Sequence, residues 1–311
     1  MKVRLPLMVQ DPATSRVKGI KTTETFYAYG DDFYDGPVTE RFAVLDLDPD
    51  SGDLLPGVKF VPPGDLMAHY DVPRLAQPGR KTSEYDITSP AFKQAAVLSM
   101  ALRTLFLFER NKDDDDDVIG RRVQWAFEAP QLFLVPRAGT SANAWYERGS
   151  HSIQFFSFPS RRDGGQTVHT CLSRDIVSHE TTHAILDAIA PDLYDAITPQ
   201  SLAIHEALAD LGAAFMSFES GNVATQVLKE TRGEIEDTTA FSSIAEEFGQ
   251  ARDASGRTHY LRNLYNDLAL GDMVEERPAP HDLSLVLSGA LYSLLVRLYK
   301  QVLRPEVAKK Y

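Results

Sequence analysis

The segment at residues 177–191, VSHETTHAILDAIAP, places two histidines four residues apart with a glutamate directly after the first. Its apolar residues recur at helical intervals and Pro191 ends the pattern, which predicts a helix. Residues four apart share one helix face, so His179 and His183 can bind one metal ion, with Glu180 beside it. A buried pair of neutral histidines is the alternative. Two imidazoles and a carboxylate on a largely apolar helix would, however, need partners.

A second predicted helix, at residues 201–215, supplies a candidate third ligand. In SLAIHEALADLGAAF, Glu206 and Asp210 are four residues apart and share a face. A carboxylate from Glu206 would complete three protein ligands and leave the fourth position to water, the open geometry of a catalytic zinc site. Asp210 is placed to accept the free ring N–H of a ligand histidine. The alternative is a solvated helix face.

Together the two motifs resemble those of the thermolysin-like gluzincin metallopeptidases, which combine His-Glu-x-x-His with a downstream Glu-x-x-x-Asp. The resemblance begins near residue 141 and runs through the C-terminal half of the chain. It implies a zinc-dependent endopeptidase in which His179, His183 and Glu206 hold the ion and Glu180 is the general base.

Shorter segments match the family's other active-site elements in the family's order. SANAWYE resembles its Asn-Ala-aromatic edge strand, which implies that Asn143 and Ala144 contact the substrate backbone. Tyr194 stands where the family has a tyrosine that helps hold the transition state. YLRNL resembles its Leu-Arg element and would make Arg262 a clamp on a substrate carbonyl. APHDLSLVLSGALY resembles the segment with the late histidine, here His281, which would donate to the oxyanion; a surface or capping role is the alternative.

By the same resemblance, Ile176 and Leu261 would line the pocket for the side chain after the scissile bond, which favours an apolar residue there. The sequence also departs from the family pattern. His205 stands where the family typically has asparagine, so an imidazole would brace His183, or else point to solvent. The loop before Glu206 is a few residues longer than usual, and the chain ends soon after the late histidine. The helical C-terminal lobe is therefore expected to be shortened.

The pattern of elements and the resemblance predict an α+β, two-lobed, thermolysin-like fold. Residues 1–188 would form a mixed N-terminal lobe with a β-sheet, ending in the central metal-binding helix. Residues 189–311 would form a mainly α-helical C-terminal lobe that carries the third ligand, with the cleft between the lobes. A helix is predicted at residues 91–110, strands within residues 121–136 and 151–160, and a buried helix at residues 283–296.

Composition and charge restrict the partners. A net charge of −12 argues against nucleic acid and anionic membrane surfaces. No membrane span is predicted, and MKVRLPLMVQDPATS lacks an apolar core of signal length, which leaves a cytoplasmic chain, export without a cleaved signal or a mature fragment open. Cys171 is the single cysteine and is expected to be structural. The expected partner is a peptide or protein substrate.

Calcium is a second cofactor that the sequence allows. Asp175 matches a position that contributes to a calcium site in thermolysin-like enzymes. Four glutamates follow in the same general region: Glu219, Glu230, Glu234 and Glu236. A run of five aspartates at residues 113–117 is predicted to be a solvated loop, with calcium binding as the alternative.

Two other classes of function remain open at this point. Gluzincin aminopeptidases share both zinc motifs, but they read the substrate amino terminus with a Gly-x-Met-x-Asn element that this sequence lacks. A non-catalytic gluzincin-like binding or effector domain is the second, and the short C-terminal region favours it. The sequence does not indicate the natural substrate, the oligomeric state or the role of residues 1–120.

Overall fold

The computed structural model describes residues 1–12, 21–30, 32–75, 84–113, 116–119, 121–162, 164–195, 198–255, 257, 259–273 and 279–307. Within these ranges the chain has a mixed α+β fold, with two four-stranded sheets and several two-stranded pairs packed against long helices. The strands are β1 (Lys2–Met8), β2 (Thr23–Tyr29), β3 (Phe42–Val44), β4 (Phe60–Val61), β5 (Ala68–Tyr70), β6 (Arg110–Asp113), β7 (Asp116–Ile119), β8 (Leu132–Val135), β9 (Ala144–Glu147), β10 (Ser152–Phe155), β11 (Ser157–Pro159), β12 (Thr167–His169), β13 (Ser243–Ile244) and β14 (Arg262–Asn263).

The helices occupy the centre and the C-terminal part of the chain. They are α1 (Pro90–Glu109), α2 (Arg174–Ile189), α3 (Pro191–Tyr194), α4 (Pro199–Glu219), α5 (Gly221–Glu230), α6 (Glu246–Arg252), α7 (Pro280–Val302) and α8 (Arg304–Val307). The predicted helix at residues 91–110 is confirmed as α1. It begins where the Ser89 side chain accepts a hydrogen bond from the Phe92 N–H at 3.1 Å.

The first sheet has the strand order β2-β1-β5-β4 and packs on α1. Val3, Leu5 and Leu7 of β1 are buried on the core face, and Pro6 and Met8 are buried as well, so the strand is covered on both faces in its second half. The second sheet has the order β3-β8-β10-β9, in which β8 is parallel to β3 and β10 while β9 is antiparallel to β10. Strand β9 therefore lies at the edge of this sheet, and it borders α2.

Helix α2 passes through the interior and packs against both α1 and α4. Its N-terminus is capped by the Ser173 side chain, which accepts from the Ile176 N–H at 3.3 Å. Two buried threonine hydroxyls bond back to the helix itself, from Thr181 to Val177 O and from Thr182 to Ser178 O, both at 2.7 Å. Polar residues of this helix are thus satisfied locally, and the histidines and acids are left to meet groups from other elements.

The structure corrects three local predictions. Of the strands predicted within residues 121–136, only β8 forms; outside it, Trp125 stacks on Phe127, and Phe127 stacks on His151. Part of the aspartate run belongs to the β6–β7 hairpin rather than to a loop, and residues 114 and 115 lie outside the described residues. Helix α7 is buried only on one side, since Leu294 and Leu298 are 53% and 51% exposed.

Two helices, α1 and α7, are long and apolar enough to span a membrane. In α1, 67% of the 18-residue apolar stretch is buried inside the fold, as in the core helix of a soluble protein. In α7, 33% of the corresponding stretch is buried. Length and composition alone are weak evidence for a span, because core helices have the same properties.

Candidate metal centre and cleft

A cleft of about 770 Å³ lies between β9, α2, α4 and the segment of β13, α6 and β14. It is lined by all but one of the residues that the sequence singles out for catalysis, substrate binding or the zinc site: Asn143, Ala144, His179, Glu180, His183, Tyr194, His205, Glu206, Arg262 and His281. The exception is Asp210, which is fully buried behind His179. Residues from both halves of the chain therefore meet at one site.

The two histidines of α2 and a carboxylate of α4 converge at the floor of the cleft. The Nε2 atoms of His179 and His183 are 2.9 Å apart. Glu206 Oε2 is 3.3 Å from His179 Nε2, and Glu206 Oε1 is 3.6 Å from His183 Nε2. Glu180 is also near, since it and the two histidines offer one ligand atom each within 4.8 Å of one another. Two imidazole nitrogens and a carboxylate oxygen are a donor set that suits zinc.

The environments of the two glutamates separate their roles. Glu180 Oε2 accepts a hydrogen bond from the Tyr146 N–H at 3.0 Å, and burial raises the pKa of this carboxyl. For Glu206, burial is outweighed by His183, His179 and His281, so its pKa lies far below the ordinary value. Glu206 Oε2 is buried without a well-aligned hydrogen bond. Glu206 Oε2 lies 3.3 Å from His179 Nε2 and 3.0 Å from His281 Nδ1, whereas one oxygen of Glu180 is already bonded to the backbone.

The surroundings of the two histidines shift their pKa values in opposite directions. Burial and Arg262 lower the pKa of His179, but the carboxylates of Asp210 and Glu206 outweigh them and raise it to about 10. Burial and the neighbouring His179 hold the pKa of His183 well below its ordinary value. The cluster therefore favours positive charge at His179 and a neutral ring at His183, whose Nε2 atom is in contact with that of His179.

The other ring nitrogen of each histidine also has a neighbour. His179 Nδ1 lies 3.0 Å from Asp210 Oδ1. His183 Nδ1 lies 2.6 Å from His205 Nδ1, and the two rings are stacked at 4.6 Å. Burial lowers the pKa of His205, so its ring is neutral and one nitrogen can accept the N–H of His183. Asp210 therefore lies behind the His179 ring and His205 behind the His183 ring, although the His179–Asp210 contact is not aligned as a hydrogen bond.

Arg262 and His281 approach the cluster from the C-terminal part of the chain. Arg262 Nε is 3.2 Å from Asp210 Oδ1, and its Nη1 is 2.8 Å from His281 Nδ1. His281 is in the first turn of α7, and its Nδ1 is 3.0 Å from Glu206 Oε2. The His281 side chain is 60% exposed, so it stands at the mouth of the cleft. Arg262 is directed at the centre of the site, whereas His281 reaches Glu206 from the solvent-exposed mouth of the cleft.

The edge strand β9 presents its free side to the cluster. The Tyr146 N–H points away from β10 and donates to Glu180. Residues two apart point their backbone groups the same way, so Ala144 also faces outward, toward the cleft that it lines. Asn143 is exposed beside it, and its side-chain oxygen accepts from the Ala144 N–H at 3.0 Å. This edge borders the cleft beside Glu180, and an extended peptide that adds to it would have to replace these two local hydrogen bonds.

A network around Arg148, which runs from the buried Asp187 to the exposed Asp195, positions Tyr194 and was not predicted from sequence. Arg148 Nε donates to Asp187 Oδ2 at 2.8 Å, and Nη1 donates to both carboxylate oxygens of Asp195 at 2.9 Å. Its guanidinium lies 4.5 Å from the Tyr194 ring centroid, and its backbone N–H donates to the Tyr194 hydroxyl at 3.4 Å. Tyr146 completes the network by donating to Asp187 at 2.7 Å. One signal was available: Asp187 is a carboxylate on a largely apolar helix and needs a partner.

The remaining sequence candidates lie outside this centre. Cys171 is fully buried and burial raises its pKa to about 12, so its thiol is held protonated. Of the residues considered for calcium, Glu219 pairs with Arg110, Glu230 with Gln226 and Glu236 with Lys300. Among the residues that the structure describes, the metal-ligand group found is the one on α2. Calcium binding stays a prediction.

No family model matches this sequence, and no curated protein matches it either. A His-Glu-His cluster on a helix is not specific to one class of metalloprotein. The functional assignment therefore depends on the residues of the cleft and on their geometry.

Proposed function

We propose that this chain is a zinc-dependent endopeptidase of the thermolysin-like gluzincin type, with the two-lobed organisation of that family. The observation that carries the proposal is the meeting of His179 Nε2, His183 Nε2 and the Glu206 carboxylate in one cleft, with Glu180 beside them. An edge strand borders the same cleft, so the chemistry and a binding surface for extended peptides occur together.

Zinc bound by His179, His183 and Glu206 would supply a Lewis acid and a water molecule whose pKa is lowered toward neutrality. Glu180 would be the group that accepts the proton of this water and delivers it to the leaving amine. Its buried position raises the pKa of its carboxyl, which suits a group that must accept a proton and release it within one turnover. The Tyr146 N–H fixes one carboxylate oxygen, so the other remains free for the proton.

We assign Tyr194 and His281 as donors to the developing oxyanion. The Tyr194 hydroxyl accepts the Arg148 N–H, which leaves its own O–H free to donate into the cleft. His281 lines the opposite part of the cleft and can donate from its ring. Arg262 is held by Asp210 and keeps a cationic N–H group near the site for a substrate carbonyl. Asn143 and Ala144, at the start of β9, would fix the register of the peptide backbone.

Metal analysis paired with a digest tests this proposal. The purified chain should hold one zinc ion, and Glu206→Ala should lose most of it, because one of three protein ligands is removed. Glu236→Ala is a matched control, since this glutamate pairs with Lys300 on the surface and should leave zinc binding unchanged. Full zinc occupancy in Glu206→Ala would remove Glu206 from the ligand set.

Peptides with blocked ends separate the candidate activities. An endopeptidase should cleave acetylated and amidated peptides internally, whereas an aminopeptidase should require a free amino terminus. Zinc-loaded chain that cleaves neither a peptide library nor casein would reject the peptidase assignment and would favour a binding or effector domain.

A further inference from the structure

The cleft extends from the metal centre along an apolar wall that is firmly joined to it. Ile244 in β13 pairs with Arg262 in β14, and the Leu261 N–H donates to Ile244 O at 3.0 Å. Ile244 and Ala245 are buried and line the cleft together with Leu261. Since Arg262 contacts Asp210 and the cluster around Glu206, this wall has a fixed position relative to the candidate catalytic residues.

Helix α6 continues the wall and ends in a cation. Ala245, Phe248 and Arg252 follow each other at helical spacing, and all three line the cleft, so one face of the helix is turned toward it. Phe248 is buried and packs against Phe158 with ring centroids 5.0 Å apart. The Arg252 guanidinium lies 5.6 Å from the Phe248 ring centroid and is exposed. An apolar surface thus leads to a guanidinium in the same cleft.

The two arginines of the cleft differ in how their charges are balanced. Arg262 faces Asp210 at 3.2 Å and Glu206 at 3.6 Å, so its charge is compensated within the site. None of the ion pairs among the described residues includes Arg252, whose contact is with an aromatic ring. A guanidinium presents a planar fork of donors that matches a carboxylate. Arg252 is therefore free to bind an anionic group that enters the cleft.

We propose that Arg252 is a specificity-determining residue that binds a carboxylate of the substrate, so that acidic peptides are preferred over their neutral counterparts. The inference rests on the proposed function for the direction of the peptide. Ile176 and Leu261 would hold the residue after the scissile bond, so the carboxylate belongs to the leaving-amine side of that bond. It is either an acidic side chain or the free C-terminus of a short peptide, and both present the same chemistry to the guanidinium.

The test compares peptides that differ in one carboxylate. Each has blocked ends and leucine after the scissile bond, and glutamine at the following three positions is replaced in turn by glutamate. A further peptide keeps all the glutamines and carries a free C-terminal carboxylate instead of the amide. We expect one glutamate peptide, or the free-acid peptide, to be preferred over the neutral peptide by about fivefold in kcat/KM, as for an ion pair partly open to solvent. The preference should weaken in high salt.

Arg252→Met keeps the length of the side chain and removes the charge, so it should abolish the preference and leave zinc content unchanged. Arg297→Met is the matched control, because Arg297 is an exposed arginine on α7 outside the lining of the cleft. It should retain the preference. Equal kcat/KM values for all the peptides with the wild-type chain, or a preference that survives in Arg252→Met, would overturn the proposal.

Binding to Glu180→Gln separates this inference from the proposed activity. That variant keeps the cleft and lacks the general base, so the Kd of each peptide can be measured without turnover, for instance by the fluorescence of Trp145, which lines the cleft. Tighter binding of an acidic peptide that disappears in Glu180→Gln/Arg252→Met supports Arg252 even if the wild-type chain hydrolyses nothing. Equal Kd values for acidic and neutral peptides would overturn the role of Arg252 and leave the peptidase assignment untouched.

Discussion

Helices α2 and α4, which carry the candidate ligands, touch so closely at one point that a single methyl group should disturb the site. A Cβ atom placed on Gly212 would meet Thr182 Oγ1 at 2.3 Å, Cγ2 at 2.9 Å and Cβ at 3.0 Å. Thr182 lies between the two histidines in sequence and is fully buried. Gly212 follows Glu206 on α4. Gly212→Ala should therefore push apart the two elements that hold the ligand atoms.

The magnitude follows from two opposing effects. Alanine is favoured over glycine in a helix by about 1 kcal/mol. Inserting a methyl group into a packed core costs about 1–3 kcal/mol, and the contact with Thr182 is near the severe end of that range. The free energy of unfolding of the metal-free chain should fall by about 1–2 kcal/mol in Gly212→Ala. Zinc affinity should fall by about tenfold or more, because Glu206 moves relative to the histidines.

Urea denaturation and zinc competition with a chelator measure the two quantities. Gly221→Ala is the control, since a Cβ there meets nothing within 4 Å. Thr182→Ala removes two of the three clashing atoms. The double variant with Gly212→Ala should therefore be about 1 kcal/mol more stable than the sum of the two single-variant effects on the free energy of unfolding. If Gly212→Ala matches the wild-type chain in both stability and zinc affinity, the close packing of α2 on α4 is not what positions the ligands.

Two further predictions concern positioning and protonation at the centre. Arg148→Ala should reduce kcat by about tenfold or more with zinc retained, because Tyr194 loses its support. In a Tyr194→Phe background, Arg148→Ala should have little further effect on kcat. If the losses in kcat of the two variants were fully additive, Arg148 would not act through Tyr194. Since the pKa of His179 is raised to about 10, zinc binding at pH 7 should release about one proton, and apparent affinity should rise about tenfold per pH unit until the pH nears that value. Calorimetric titrations with zinc in buffers of different ionisation enthalpy measure the number of protons released. A value near zero at pH 7 would contradict this prediction.

The elements that carry the site could be read from local pattern. Helical spacing, a capping serine and a terminating proline define α2, and the same periodicity defines α4, so the shared face of His179 and His183 needs no tertiary information. The edge position of β9 came from resemblance, since nothing in a four-residue strand tells an edge from a centre. In the folded chain, β9 pairs with β10 on one side only. On its other side the Tyr146 N–H donates to Glu180, so β9 is an edge strand.

The long-range parts of the site could not be predicted because their partners are far apart in sequence. Arg148 and Asp187 are single charged residues until the fold brings them together across β9 and α2. The free charge of Arg252 is likewise visible only when the partners of other cleft residues are known. The sequence around Trp125 is rich in aromatic residues, as in many strands. In the fold these rings stack on each other, and the backbone there forms no strand.

Turnover by Glu180→Gln tests the central claim most directly. The amide keeps the size of the side chain, and its oxygen can still accept the Tyr146 N–H, so the fold and the ligand set are preserved. It cannot take a proton, so hydrolysis of an end-blocked peptide should fall by about two to four orders of magnitude while zinc content and melting temperature stay at wild-type values. Zinc-replete Glu180→Gln that hydrolyses the peptide at near wild-type rate would contradict the account, because the buried glutamate would then have no part in the chemistry.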